Sequence, residues 1–443
     1  MRVCYLHGYG LNGSGSAIYA VELAAALGRL GHDVTLLCHE TRDRVLADTA
    51  TSLPDDVVVE RLPTRVIPTS YLRPELAGSR PVADLEPADL KAYRADVRRA
   101  VEAAHREAPF DLVLVNHLSL LNEVAADLRD AHDLPFVSIS HGTALHYVLR
   151  ELPAIRRRVA RALTKADAVV ALNPSVHARI TTVLPELEPH QVIQVAPGVD
   201  VGAFVPGAAR RDAHVAFVGR MTLDKGVHCL LAALPDLREA HPDLQVHLVG
   251  DGPDVDVLRA GLADLNRGDV ARFVERVARR AEGRGRELVT PLRTWRPRTD
   301  PRGVSRHVTW HGYLGRGDTA AVLAGCRVSV LPSIVPEAFP LTVLESMACG
   351  TRPVSSDHSG QKWLLEQVEG AVPQLAGKLR AAMSSARYVP NLVEQIDHGL
   401  AGANALQAAQ LRDYVLQRHT WEAVATSLQG ASTLQATGQE VFA

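Results

Sequence analysis

Two short stretches carry residues whose types and spacing suit one kind of ligand. In "GRMTLDKG", Gly219, Arg220, Lys225 and Gly226 follow the apolar run HVAFVG, so they stand where a strand gives way to a turn. Gly219 permits close backbone approach, Arg220 can fork two phosphate oxygens, and Lys225 adds a point charge beside the start of the next helix. A diphosphate fits such a turn. In "PSIVPEAFPLTVLESMACGTRPV", residues 332–354, Glu337 and Glu345 are separated by seven residues, with Phe339, Pro340 and Leu341 between them. Glu337 is expected in the loop after VSVLPS, Pro340 in the first turn of a helix, and Glu345 about one turn inside it. Backbone N–H groups around Phe339 to Leu341 would aim at an anion, while the two carboxylates accept from hydroxyls on either side. Hydroxyls flanking a diphosphate describe a sugar nucleotide. Taken singly, the basic pair also reads as surface charge and Glu345 as an ordinary exposed helix residue.

The elements that position these residues follow from periodicity. Over the first 200 residues, strand-like runs (RVCYLH, DVTLLCH, DLVLVNH, PFVSIS, AVVALN) alternate with helical stretches at 16–30, 88–106, 119–131 and 152–164. The stretch VGAFVPGAARRDA lacks periodicity and reads as a linker. The alternation then restarts with HVAFVG, LQVHLVG, HVTWHG, VSVLPS and RPVSS, with helices at 226–239, about 254–282, 318–325 and 341–349. The expected fold class is α/β, with two Rossmann-like, doubly wound parallel-sheet domains over 1–205 and 206–419 facing a central cleft.

A third motif invites a different chemistry. "LHGYGLNGSGSAIYA" spells G-x-G-x-x-G in Gly8, Gly10 and Gly13 after a strand, the spelling of a dinucleotide site. Two observations oppose an NAD site. The helix is expected to open near Ser16 rather than at the second glycine, and the acidic Glu40 lies 32 residues after Gly8, where a ribose carboxylate stands about 20 residues on.

Composition excludes several classes. The formal net charge is −2, which gives no reason to expect nucleic acid or an anionic membrane as the main partner. The five cysteines are dispersed, without C-x-x-C pairs, and read as buried reduced thiols. No carboxylate or histidine cluster has metal-ligand spacing, so neither metal nor cofactor is expected. No basic leader precedes the first strand, and no apolar run reaches the ~20 residues of a membrane span. A cytoplasmic, soluble or at most peripheral chain is expected. One segment stands apart: 11 arginines lie between Arg272 and Arg306, either a solvated insertion or a basic surface for a membrane or partner.

In order and spacing, Gly219-Arg220 with Lys225-Gly226, then GDGP at 250–253, HGYL at 311–314 and the E-x7-E of PEAFPLTVLESMACG resemble the family 4 retaining glycosyltransferases of GT-B fold. GSGSAIYAVELAAALGRLGHDV, PFVSISHG and VIQVAPGVDVGAF are similar to that family's N-terminal segments. The resemblance implies that Arg220 and Lys225 hold the donor diphosphate, Glu345 the ribose hydroxyls, and Glu337 the transferred sugar near the reacting carbon. It further implies main-chain contacts from Tyr313 and Leu314 to the nucleobase, an approach of Gly15 to the diphosphate, and a hydroxyl contact from His141. Transfer would proceed with retention and without a metal. HTWEAVATSLQG resembles a closing helix, about 420–443, that returns to the first domain. Ser14 stands where the family has a glycine, and SSDHSGQKWLLEQ replaces its Gly-rich, glutamate-bearing turn with His358 and Lys362. The donor implied is a nucleotide-diphosphate sugar, most commonly a UDP-sugar, and the acceptor a hydroxylated small or lipid-linked molecule. A non-catalytic sugar-nucleotide binder and a nucleotide-sugar epimerase are the alternative readings.

Overall fold

The computed structural model describes residues 1–11, 14–41, 53–70, 76–207, 211–383 and 387–433. Gly13 of the glycine motif and the last ten residues of the expected closing segment lie outside them. The chain forms two compact units, Met1–Gly198 with His419–Ala443, and Val199–Arg418.

The first unit is built on β1 (Arg2–His7), β2 (Asp33–Cys38), β3 (Val57–Arg61), β4 (Ile67–Thr69), β5 (Ser79–Pro81), β6 (Leu112–Asn116), β7 (Phe136–Ser140), β8 (Ala168–Ala171) and β9 (Val192–Gln194). Among the described residues its main sheet runs β3-β2-β1-β6-β7-β8-β9, all parallel, with β4 and β5 paired apart. Val3 to Leu6 of β1 are fully buried, as expected of a strand covered on both faces by helices. The helix Gly15–Arg29 is capped by Ser14, whose Oγ accepts from the Ala17 N–H at 3.2 Å.

The second unit contains β10 (Arg211–Val218), β11 (Gln245–Val249), β12 (Val308–Gly312), β13 (Cys326–Leu331), β14 (Arg352–Ser356) and β15 (Arg380–Ala381). Their order is β12-β11-β10-β13-β14-β15, all parallel, which is the 3-2-1-4-5-6 arrangement of a doubly wound sheet. Chain order reverses between β10 and β13, and the loops leaving their carboxyl ends diverge there. Ligands of such sheets bind at that switch point.

The first domain, expected to run to residue 205, ends at Gly198, and the second unit begins at Val199. Val199 and Phe204 pack with Ala216, Leu344 and Met347 in the second unit. Arg412 fixes that segment by donating to the carbonyls of Val201, Phe204 and Ala348 at 3.1, 2.8 and 2.6 Å. The stretch expected as one helix near 254–282 is two, Val255–Asn266 and Val270–Arg280, parted at Gly268 with φ +86°.

The helix Trp421–Thr433 packs back on the first unit. Trp421 meets Tyr19 edge-on at 4.9 Å, and Glu422 pairs with Arg29 at 2.7 Å. Gly198 makes this approach possible, because a Cβ there would stand 2.6 Å from the Trp421 nitrogen. Gly198→Ala should therefore displace the helix and cost about 1–3 kcal/mol through overpacking against backbone; urea unfolding of the variant checks this, and an unchanged midpoint would refute it.

Candidate active site

The two sequence motifs that suit a diphosphate and hydroxyls meet at the switch point of the second sheet. Gly219 to Gly226 leave β10 and Pro332 to Pro340 leave β13. Gly226 adopts φ +71°, and a Cβ there would lie 1.8 Å from the Pro332 carbonyl oxygen, so only glycine lets the loops touch. Ile334 N–H donates to the Asp224 carbonyl at 2.8 Å. The loop after β11 joins the same layer. Gly250, at φ +129°, would place a Cβ 1.9 Å from the Gly219 oxygen, and the Met221 N–H bonds the Asp251 carbonyl at 2.9 Å.

Across these loops the Lys225 ammonium donates to Glu337 Oε1 at 2.5 Å. Ser333 Oγ donates to the same oxygen at 2.7 Å, and the Glu337 N–H donates to Ser359 Oγ at 3.0 Å. Burial pushes the Glu337 carboxyl up, but the Lys225 charge and bond, the Ser333 hydroxyl and His358 together hold it below its ordinary value. His358 donates Nε2–H to the Ser333 carbonyl at 2.8 Å, which fixes the loop that carries Glu337. Ser333 and Ser359 escaped sequence reasoning, which named His358 only as a departure from the family's turn. Ser359 sits at φ +50°, a conformation that its residue type does not announce.

Pro340 stands at the N-cap, just before the helix Leu341–Ala348, rather than within its first turn. Glu345 lies on that helix, half-buried. Burial raises its carboxyl to about 7 and the Arg316 guanidinium opposes the rise. Arg316 opens the helix Arg316–Gly325 after Tyr313 and Leu314, stacks over Phe204 at 5.3 Å and lies 3.6 Å from Asp200. In the sequence it reads as one more exposed arginine. Arg220 is exposed on the loop it shares with Lys225, Tyr313 is 62% exposed, and Phe339 is half-buried beside Trp363.

The arginine-rich segment supports this layer. Asp254, fully buried, accepts from the Leu223 N–H at 2.8 Å, from Arg280 at 2.6 Å and from Arg284 at 2.8 Å. Arg272 and Arg276 face buried Asp264, and Arg298 pairs with Asp236 at 3.1 Å. Arginines expected to form a solvated run or a docking surface are thus partly spent inside their own unit.

In the first unit, His7, Asn116, His117 and His141 gather at the carboxyl ends of β1, β6 and β7. His117 has φ +102°, a conformation that costs roughly 1–3 kcal/mol in a non-glycine residue. Its carbonyl is held by the Ser119 N–H at 2.9 Å and the Asn122 amide at 3.0 Å, and its ring lies 4.8 Å from those of Tyr9 and His141. Ser14 and Gly15 stand where the neighbouring helix opens, and the Ser14 hydroxyl is engaged in capping it.

Among the described residues, no group of three or more His, Cys, Asp or Glu side chains is arranged to hold a metal ion. All five cysteines are buried, and no described helix is long and apolar enough to cross a membrane.

Two doubly wound units, one bearing a basic turn and an E-x7-E loop at its switch point, define a glycosyltransferase of GT-B fold. The chain belongs to the family 4 glycosyltransferases: residues 14–198 match the glycosyl transferase 4-like domain, and residues 203–281 and 296–378 match glycosyl transferases group 1. It is 30% identical to D-inositol 3-phosphate glycosyltransferase of Actinosynnema mirum, over 78% of this chain and 76% of that one. It is 27% identical to glycogen synthase of Mycobacterium tuberculosis, over 76% and 73%. Its fold is similar to sucrose-phosphate synthase of Thermosynechococcus elongatus, with TM-score 0.66, 21% identity and 99% and 100% coverage. It is also similar to HepE of Anabaena in complex with UDP-glucose, with TM-score 0.63, 17% identity and 98% and 100% coverage.

Lys225→Met removes the partner that offsets burial of Glu337. The depressed carboxyl contributes stability above its unfolded value of 4.5, and this contribution is lost as pH falls through the folded value. The variant should therefore be less stable than the parent by roughly 1–3 kcal/mol near neutral pH, with the gap closing in acid. Chemical unfolding at a series of pH values measures it; a gap that widens in acid contradicts the pairing.

Proposed function

We propose that the chain transfers a sugar from a nucleotide-diphosphate donor, a UDP-sugar in the first instance, to a hydroxylated small or lipid-linked acceptor. Transfer proceeds with retention and without a metal, in the cytoplasm, in assembly of a natural-product or envelope glycoside. The observation that carries this reading is the Lys225–Glu337 pair beside Arg220 at the switch point, which puts fixed positive charge and a hydroxyl acceptor on adjoining loops. UDP-glucose in the complex of HepE and the D-inositol 3-phosphate glycosyltransferase name of the Actinosynnema relative support a nucleotide-sugar donor and a polyol acceptor.

In this mechanism Arg220 and Lys225 neutralise the departing diphosphate, with N–H groups around Gly219 and Phe339 to Leu341 contributing partial positive charge. The C1–O bond to phosphate breaks with its electron pair on the phosphate oxygen. The acceptor hydroxyl forms the new C1–O bond from the same face and gives its proton to that oxygen. Glu337 holds hydroxyls of the transferred sugar, Glu345 those of the ribose, and the backbone at Tyr313 and Leu314 faces the base. Ser14 and Gly15 approach the diphosphate, and His141 contacts a hydroxyl of the sugar or acceptor.

Incubation with a panel of nucleotide-diphosphate sugars and polyols, inositol phosphates included, should yield a glycosylated product by mass spectrometry, undiminished by EDTA. Lys225→Ala should lose about 10²–10³ in kcat, the scale of a lost transition-state donor. Donor binding without transfer to any acceptor would favour the binder, and an isomerised sugar without acceptor the epimerase.

Glu345 adds a pH dependence. A raised carboxyl stabilises the fold below its unfolded value of 4.5, and that contribution is lost as pH rises through about 7. The carboxylate formed over the same window accepts from both ribose hydroxyls, so donor KM should fall as pH rises through about 7. Glu345→Gln should abolish that slope; a slope unchanged in the variant removes Glu345 from the donor contact.

A further inference from the structure

The polar ends of β1, β6 and β7 form a chain of hydrogen bonds whose proton positions are decided by two carbonyls. His7 and Asn116 are direct partners in the register of β1 and β6, and His141 follows β7. The fully buried Asn116 side chain places Nδ2 at 2.7 Å from His7 Nδ1 and 3.0 Å from the Ser16 carbonyl oxygen, and Oδ1 at 2.5 Å from His141 Nε2. A carbonyl only accepts, so the group that faces Ser16 is the amide NH2. The amide oxygen then faces His141 Nε2, and that nitrogen carries the hydrogen. His7 Nδ1 receives the amide N–H and is bare, so His7 Nε2 donates to the Gly10 carbonyl at 3.3 Å. Every proton in the chain is thereby placed.

We infer that Asn116 is a positioning residue that locks His141 in its Nε2–H form, so that the ring offers Nδ1 as an acceptor to a ligand hydroxyl. The inference rests on the sugar-transfer reading above and deepens the part taken by His141. A hydroxyl can give its hydrogen to Nδ1, whereas an ionised phosphate oxygen has only lone pairs and is repelled by it. His141 therefore selects a hydroxyl of the sugar or acceptor and contributes nothing to holding the diphosphate. The groups that face it are His7 through the amide, the His117 ring at 4.8 Å and the Tyr19 ring at 4.9 Å. Burial first, and then the repulsion between the His7 and His141 rings if both became charged, lower the His141 imidazole to about 3, so the Nδ1 lone pair persists through neutral pH.

The test is nitrogen NMR of histidine-labelled protein at neutral pH, with the His141 ring assigned by the resonances lost in His141→Gln. The expected spectrum has a protonated Nε2 and a bare Nδ1. Asn116→Asp puts a carboxylate between the two rings and should raise the His141 titration by about 1–3 units, with the acid limb of kcat/KM moving by the same amount. If His141 takes no part in transfer, the His141 titration moves and that limb stays in place. An Nδ1–H ring in the parent protein overturns the inference, as does an unmoved His141 titration in a folded Asn116→Asp. If Asn116→Asp does not fold, the parent spectrum still decides the tautomer. The spectrum needs no substrate, so absence of transfer from every donor would count against the proposed function and leave the ring assignment standing.

Discussion

The Lys225–Glu337 ion pair spans two loops that a doubly wound sheet drives apart. Strands β10 and β13 lie side by side, yet the chain leaves them toward helices on opposite faces, and the gap between their ends would fill with water unless something closed it. Backbone contact closes it first. Gly226 against the Pro332 carbonyl brings the loops within van der Waals distance, and only then can the ammonium reach the carboxylate at 2.5 Å. The order matters because the pair alone is a poor source of stability. Removing both charges from water costs nearly what their attraction returns, so the geometry must come from the glycine-mediated contact and from Ser333, His358 and Ser359.

The arginine-rich segment serves this arrangement from below. Asp254 receives the Leu223 N–H on one side and Arg280 and Arg284 on the other, which ties the turn carrying Lys225 to the helix Val270–Arg280. A carboxylate at zero exposure is tolerable only with that many donors. The group 1 match breaks at 282–295, within this same segment. There Leu288, Leu292 and Trp295 enter the core of the unit, so the insertion is folded into the structure, and Arg284 pairs inward with Asp254.

Sequence reading reached what is local and stopped where pairing depends on topology. Strand ends with their glycines and charges declare themselves where an apolar run gives way to G-R or P-E; hence the places of Arg220 and Lys225 after β10, of Glu337 after β13 and of Glu345 on the following helix were legible. Asn116 and His7 were not, being 109 residues apart. A signal was present nonetheless: RVCYLH and DLVLVN each end an apolar strand on a polar residue, and in a 3-2-1-4-5-6 sheet the first and fourth strands are neighbours. Arg316 was hidden by abundance, since among so many arginines nothing marks the one that turns inward. The linker boundary was missed because Val199 and Phe204 belong to a hydrophobic cluster completed by residues about 140 positions later. The two-residue β15 carries too little pattern to be read at all.

The two main sheets share the order of their first six strands but solve their switch points by opposite electrostatic means. In the second, charge is met by charge, the Lys225 ammonium being held by the Glu337 carboxylate. In the first, three imidazole rings and an amide lie at the ends of apolar strands, and the His141 ring is too buried to hold a charge cheaply. Neutral groups can be aimed only by fixing which atoms carry hydrogen. Asn116 does so because its amide offers a donor and an acceptor at fixed separation, anchored by a backbone carbonyl that cannot change its role. The strained His117 backbone belongs to the same solution: its ring is pressed between Tyr9 and His141, which restricts the face from which His141 can be approached. A carboxylate in the place of Asn116 would bind more strongly, yet would recruit protons to both rings and erase the distinction between donor and acceptor on which their aim depends.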